Sequence, residues 1–305
     1  MNKKVITILS VLVIIVFIGY MVLDVSRSEA PAPAEPLNFN SEIADAWMIS
    51  KELAISEGTL NAVAATAGDR IYLGGDSFVS CYDNDLKLLW NTKTDSAVTS
   101  ISVSGDTLFA STMEQILVFS LEGKILNEWG PFEEDCLITS VSSNRNFVAI
   151  ADAGNKIVFI LDKGGEVKRM IGQNDHEFVI PSPYFDIAID KDNQLYTANT
   201  GKHRIETRSP DGRIKSFFGE PGAAPGYFSG CCAPAHFTVL PDGFVTAEKG
   251  INRIQLLNTK GEFVEFVNSK NTFTKSIPLD LASYDGKTIY AANPADSKLY
   301  IFKRK

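Results

Sequence analysis

The chain has 305 residues and carries 37 acidic against 29 basic side chains, a formal charge of −8. No basic cluster lies outside its two ends, so nucleic acid is excluded as a partner on electrostatic grounds. The G-x-S-x-G, P-loop, H-E-x-x-H and C-x-x-C-H patterns are all missing, and with them the common hydrolase, nucleotide, zincin and haem-attachment signatures.

Lys3 and Lys4 precede an uncharged run from Val5 to Leu23, nineteen residues long. At about 1.5 Å per helical residue, such a run covers the roughly 30 Å of hydrocarbon in a bilayer. The expectation is one N-terminal transmembrane helix within residues 1–27, with the lysines on the cytoplasmic side. Everything after Asp24 is then exported to the periplasmic or extracellular side. A cleaved signal peptide is the competing reading. Its apolar core is normally shorter, and the nearest small-residue site, Ala32-Pro33-Ala34, lies well beyond the run. No cysteine stands near the end of the run to take a lipid. Residues 28–38 follow as a linker, where Ser28 to Pro36 reads SEAPAPAEP, a composition that favours extended chain and builds no core. Residues 39–305 are left as one domain.

That domain repeats itself. GDRIYLGGDSFVSCYDNDLKLLW from Gly68 is followed by GDTLFASTMEQILVFSLEGKILNEW from Gly105 and NRNFVAIADAGNKIVFILDKGGEVKRMI from Asn144. DNQLYTANTGKHRIETRSPDGRIKSFFG from Asp192, DGFVTAEKGINRIQLLNTKGEFVEFV from Asp242 and DGKTIYAANPADSKLYIFKRK from Asp285 complete the set. Each copy runs polar turn, strand, small or polar loop, strand, tight turn, strand. The strand-opening residues Ile71, Leu108, Val148, Leu195, Phe244 and Ile289 lie 37, 40, 47, 49 and 45 residues apart. Four short strands per period near forty mark propeller blades, because a single such sheet cannot bury both faces until neighbours stack on it. The fold class expected is all-β, a six-bladed β-propeller. The sixth copy lacks an outer strand, and an open edge invites pairing with other chains. Ala46 to Ile55, AWMISKELAI, is expected to supply it; a short rim helix opened by Ser41-Glu42-Ile43-Ala44 is the alternative.

PYFDIAIDKDNQLYTANTGKHRIETRSPDGRIKSFFG, Pro183 to Gly219, resembles an NHL repeat, and the stretch from Pro234 to Val267 matches it. The first three copies resemble propeller blades in general. GCCAPAHF at Gly230 to Phe237, followed by AEKG at Ala247 to Gly250, is similar to a bacterial NHL subgroup. The resemblance implies an NHL-type propeller, a class that includes metal-dependent lyases and hydrolases.

Residues entering the innermost strands face the mouth of the central channel. Aligning the copies puts Asn61, Ser100, Ser140, Asp186, His236 and Asp280 there, each followed by an apolar residue. Converging Asp186, His236 and Asp280 suit a divalent metal such as Ca, Zn or Mn, while a solvated polar lining and a polar organic ligand are the other readings. Cys231 and Cys232 are adjacent in a glycine-rich loop, where a vicinal disulfide, ligation with His236 and inert thiols are all open. Cys136 is expected in the equivalent loop two blades back, and Cys81 in the core. Lys249 is expected on the same face as the cysteine pair and His236. His203, Arg204 and Arg253 are read as structural turn residues, and His176 as an exposed loop residue.

Two functional classes follow. One is a binding module that recognises a protein, peptide, glycan or small ligand beside the membrane. The other is a metal-dependent lyase, hydrolase or redox accessory built around His236 and Cys231-Cys232.

Overall fold

The computed structural model describes residues 3–27, 43–173, 177–269, 272–274 and 276–305. The linker, Ser41-Glu42 and His176 lie outside the described residues. The chain divides into two compact units, Met1–Glu42 and Ile43–Lys305. The first contains α1 (Lys3–Arg27), along which Leu9, Val13, Val16, Phe17 and Tyr20 are exposed. Among the described residues no helix is long and apolar enough to cross a membrane, so the expected span over Val5 to Leu23 is not carried by the structure.

Among its described residues the second unit holds twenty-four strands in six four-stranded antiparallel sheets. It opens with β1 (Trp47–Ala54). Blade one is β2 (Leu60–Ala65), β3 (Arg70–Gly75), β4 (Phe78–Asp83) and β5 (Leu88–Lys93). Blade two is β6 (Ser100–Ser104), β7 (Thr107–Ser111), β8 (Ile116–Ser120) and β9 (Ile125–Trp129). Blade three is β10 (Ile138–Ser143), β11 (Val148–Asp152), β12 (Ile157–Leu161) and β13 (Val167–Ile171). Blade four is β14 (Ile187–Ile189), β15 (Leu195–Asn199), β16 (Arg204–Arg208) and β17 (Ile214–Phe218). Blade five is β18 (His236–Leu240), β19 (Gly243–Ala247), β20 (Ile254–Asn258) and β21 (Phe263–Asn268). The last blade has β22 (Asp280–Ala282), β23 (Thr288–Asn293) and β24 (Lys298–Arg304), and its fourth strand is β1.

The ring closes through that strand. β1 runs antiparallel to β24 from Trp47 opposite Arg304 to Ala54 opposite Lys298, with a bulge between Ile49 and Lys51. Trp47 is buried, and its indole Nε1 donates to Glu265 Oε1 of the neighbouring blade at 2.7 Å. The Ala46–Ile55 segment is therefore a strand over Trp47–Ala54, and a rim helix has no place there.

Burial follows position within the blade. Second and third strands are buried on both faces, as in β11 and β12, because a sheet lies against each side. Outer strands such as β9 and β17 are largely exposed. The core is a series of seams between adjacent blades: Phe109 and Val118 of blade two, for instance, meet Val141, Val148 and Phe159 of blade three. Each fully buried Leu, Ile or Phe of this kind contributes about 1.5–3 kcal/mol.

One device recurs between blades. The turn before the outer strand contains a glycine, and the last apolar residue of the previous blade packs on it. A Cβ at Gly123 would stand 2.6 Å from Trp90, at Gly165 2.6 Å from Trp129, and at Gly261 2.2 Å from Phe218. All three glycines have positive φ, so both sterics and backbone demand the residue.

Candidate functional site

The innermost strands present one edge to the central axis, where backbone N–H groups have no ladder partner. Polar side chains of the preceding blade fill that role. Ser100 Oγ accepts from Val141 N at 3.2 Å, and Ser140 Oγ from Ile187 N at 3.3 Å. Asp186 Oδ2 accepts from Phe237 N at 2.8 Å, and Asp280 Oδ2 from Val63 N at 2.8 Å. Two residues further along, Ser102 Oγ accepts from Ser143 N and Ser142 Oγ from Ile189 N, each at 2.9 Å. The polar ring read from the sequence is thus a seam that joins blade to blade at the axis.

One member was misplaced. Ser100, Ser140, His236 and Asp280 pair opposite Ser111, Ala151, Ala247 and Ala292. The matching position in blade one is Ala62, opposite Gly74; Asn61 stands at the register shift just before it, as Thr139 does before Ser140 in blade three. Asn61 therefore leaves the ring, and its amide reaches Val98 O at 3.2 Å instead.

Three members do come together. His236 Nδ1 lies 3.6 Å from Asp280 Oδ1 and 3.8 Å from Asp186 Oδ2. Ser140 Oγ donates to Asp186 Oδ1 at 2.6 Å. Burial raises the Asp186 carboxyl above its usual range, against the pull of His236 and its hydrogen bonds. Burial likewise pushes Asp280 up to about 6, with His236 opposing and Asp186 assisting. Both Asp186 oxygens and one Asp280 oxygen accept hydrogen bonds, and the imidazole Nδ1 faces both carboxylates. Among the described residues no group of three or more His, Cys, Asp and Glu could hold a metal ion.

From this ring an axial cavity of 790 Å³ runs toward the opposite face, lined by Ser102, Ser142, Thr238 and Ser283 and ending beside Asp190 and Asp192. Its size matches pockets that enclose small molecules or peptide termini.

On the near face a second group assembles. Lys249 Nζ sits 4.7 Å above the Tyr184 ring, and Tyr184 meets His236 edge-on with centroids 6.0 Å apart. Cys232 is buried close enough to Lys249 for the ammonium to act on its thiol, while Cys231 is exposed. Lys249 and His236 thus both contact the Tyr184 ring, on the same face as the cysteine pair. Tyr184 went unread in the sequence, although its place two residues before Asp186 puts it just outside the same strand.

The remaining candidates are structural or separate. Arg253 Nε pairs with buried Glu248, and its other nitrogens donate to Ala223 O, Ala224 O and Tyr227 O at 2.6–2.9 Å, fastening the glycine-rich loop. Arg204 holds Glu206 Oε1 at 2.6 and 2.8 Å, and Arg208 holds the other oxygen. Burial raises Glu206, but Arg208 and Arg204 prevail and leave it below the usual carboxylate range. His203, at φ 52°, places Nε2 2.6 Å from Gly230 O. All four cysteines are free. Cys136 packs beside the blade-three core, where burial, then the charge of Asp152, pushes its thiol up to about 12. Burial pushes Cys81 up to about 11.

No model of a known protein family matches the sequence, and no curated protein matches it. Solved structures share its fold. A streptogramin B lyase aligns over 86% of this chain and 100% of its own, with TM-score 0.63 and 13% identity. A structural-genomics protein of unknown function from Bacteroides thetaiotaomicron aligns over 84% and 72%, with TM-score 0.65 and 14% identity. The WD40 β-propeller domain of Doa1 aligns over 85% and 97%, with TM-score 0.59 and 11% identity. At these identities the likeness is one of fold, a six-bladed β-propeller.

Proposed function

We propose that this chain is an NHL-type β-propeller that acts as a binding module, holding a polar small ligand or a peptide segment in its axial cavity. The observation that carries this reading is the way the ring carboxylates are engaged. They accept backbone N–H groups of neighbouring blades and so hold the cavity wall, which leaves a preformed, hydroxyl-lined chamber. The uncharged sequence from Val5 to Leu23 after Lys3 and Lys4 is what favours a membrane tether with the propeller on the exported side.

The test is an array of short peptides and oligosaccharides probed with the full-length chain and with Thr238→Trp, which fills the cavity. Retention of a defined subset, lost by at least tenfold in the variant, is the expected result; equal retention by both proteins, or none by either, overturns the reading. Alkaline carbonate extraction tests the tether: recovery of the chain in the soluble fraction removes it.

A second reading draws on His236 beside Asp280, whose carboxyl lies 3.6 Å from the imidazole and is pushed up to about 6 by burial. A solved structure that shares the fold is named a streptogramin B lyase, so a lyase reaction is the form this second reading takes. Turnover of a retained ligand, abolished in His236→Ala while binding persists, decides for it.

A further inference from the structure

The two thiols of Cys231 and Cys232 lie 3.2 Å apart, one exposed and one buried. The loop that carries them is fixed on every side. His203 Nε2 donates to Gly230 O at 2.6 Å, Ser229 N donates to Glu248 Oε2 at 2.7 Å, and Ile251 N donates to Ser229 Oγ at 3.0 Å. Gly230 and Gly250 touch through their backbones: a Cβ at Gly230 would meet Gly250 Cα at 2.9 Å, and one at Gly250 would meet Ser229 O at 2.7 Å. GCC and AEKG are thus two halves of one mount, and the second half carries Lys249, whose ammonium lies over the Tyr184 ring.

We propose that Cys231-Cys232 is a thiol–disulfide exchange site whose substrate is a disulfide, carried by a small thiol or by a protein. The Cys231 thiolate attacks one sulfur of the partner, forming a mixed disulfide and releasing one thiolate. The Cys232 thiolate then attacks Cys231 Sγ, forming the ring disulfide and releasing the second. Two electrons pass from the pair to the partner disulfide, and the two protons lost by the pair are taken up by the two partner thiols. Closing the ring brings the sulfurs from contact to about 2.04 Å. Adjacent Cα atoms stand only about 3.8 Å apart across a trans peptide, short of the ordinary disulfide range, so the ring bond is easily reduced and the site works in both directions. Asymmetric exposure assigns the roles, since only Cys231 meets a bulky partner. Burial raises the Cys232 thiol and Cys231 adds to the rise, with Ser182 and Lys249 opposing, which suits a sulfur that reacts second.

The full-length chain, reduced and freed of reductant, is exposed separately to glutathione disulfide and to insulin, trapped with iodoacetamide and mapped by mass spectrometry. Expected is a two-hydrogen mass loss confined to the Cys231-Cys232 peptide and reversed by a dithiol. Cys232→Ser should accumulate the mixed disulfide on Cys231, and Cys231→Ser should slow the reaction at least tenfold. Reaction with glutathione disulfide alone names a small-thiol partner, reaction with insulin a protein partner, and either result supports exchange. Both thiols remaining alkylatable with both oxidants, or adducts at Cys136 and Cys81 alone, overturn the proposal. Circular dichroism of each variant separates lost reactivity from lost fold.

Discussion

Asp280 keeps a buried carboxyl beside an imidazole, and the arrangement has a measurable pH signature. Its folded-state value rises from 3.8 to about 6, so its contribution favours the folded state below about 4 and is lost as pH climbs through 6. Asp280→Asn keeps an oxygen for Val63 N but cannot ionise. Its stability should equal the parent's near pH 3 and exceed it above pH 7, by about 1–3 kcal/mol. A gap that narrows as pH rises would contradict this. Glu248 and Arg253 give the opposite kind of test. Arg253→Ala strands a buried carboxylate and frees the loop at Ala223, Ala224 and Tyr227, at a cost of about 3–5 kcal/mol in urea unfolding. At this scale the sequence was readable wherever a residue type implied a duty: Arg253 as a tie, Lys249 as a neighbour of the cysteines, Asp186 and Asp280 on the axis. Asn61 misled because an inserted bulge residue leaves no mark in composition. Which carboxylate oxygens bind the backbone of the next blade was not legible either, because spacing alone does not show it.

Strands and turns were the most legible level. Polar turn, strand and tight turn recur because each blade must present the same two faces to its neighbours, and that demand writes the same pattern six times. The glycine turns go further, since SLEGK, LDKGG and NTKGE each seat an aromatic side chain of the preceding blade. Gly165→Ala places a methyl group against Trp129 at a left-handed φ, and a loss of about 1–3 kcal/mol by thermal unfolding is expected. Blade boundaries were less legible than blades, because the loops between them differ in length and carry the cysteine pair, Tyr184 and Cys136 rather than a repeating signal.

The whole ring depends on one contact between distant parts of the chain. β1 is antiparallel to β24, with Trp47 opposite Arg304, so a short turn after Lys305 leads directly into a transplanted copy of residues 46–55. Moving that segment to the C-terminal side should restore a melting temperature within a few degrees of the parent, whereas deleting it should leave β24 unpaired and the protein prone to aggregate. Light scattering and calorimetry check both. The same contact has a consequence for biosynthesis. β1 leaves the ribosome before any other strand of the propeller, yet its partner emerges only after roughly 250 more residues, about 10–50 s later at ordinary elongation rates. Through that interval Trp47 and the edge of β1 must be kept from other partners, and the molecule is sealed by joining its earliest-made strand to its latest.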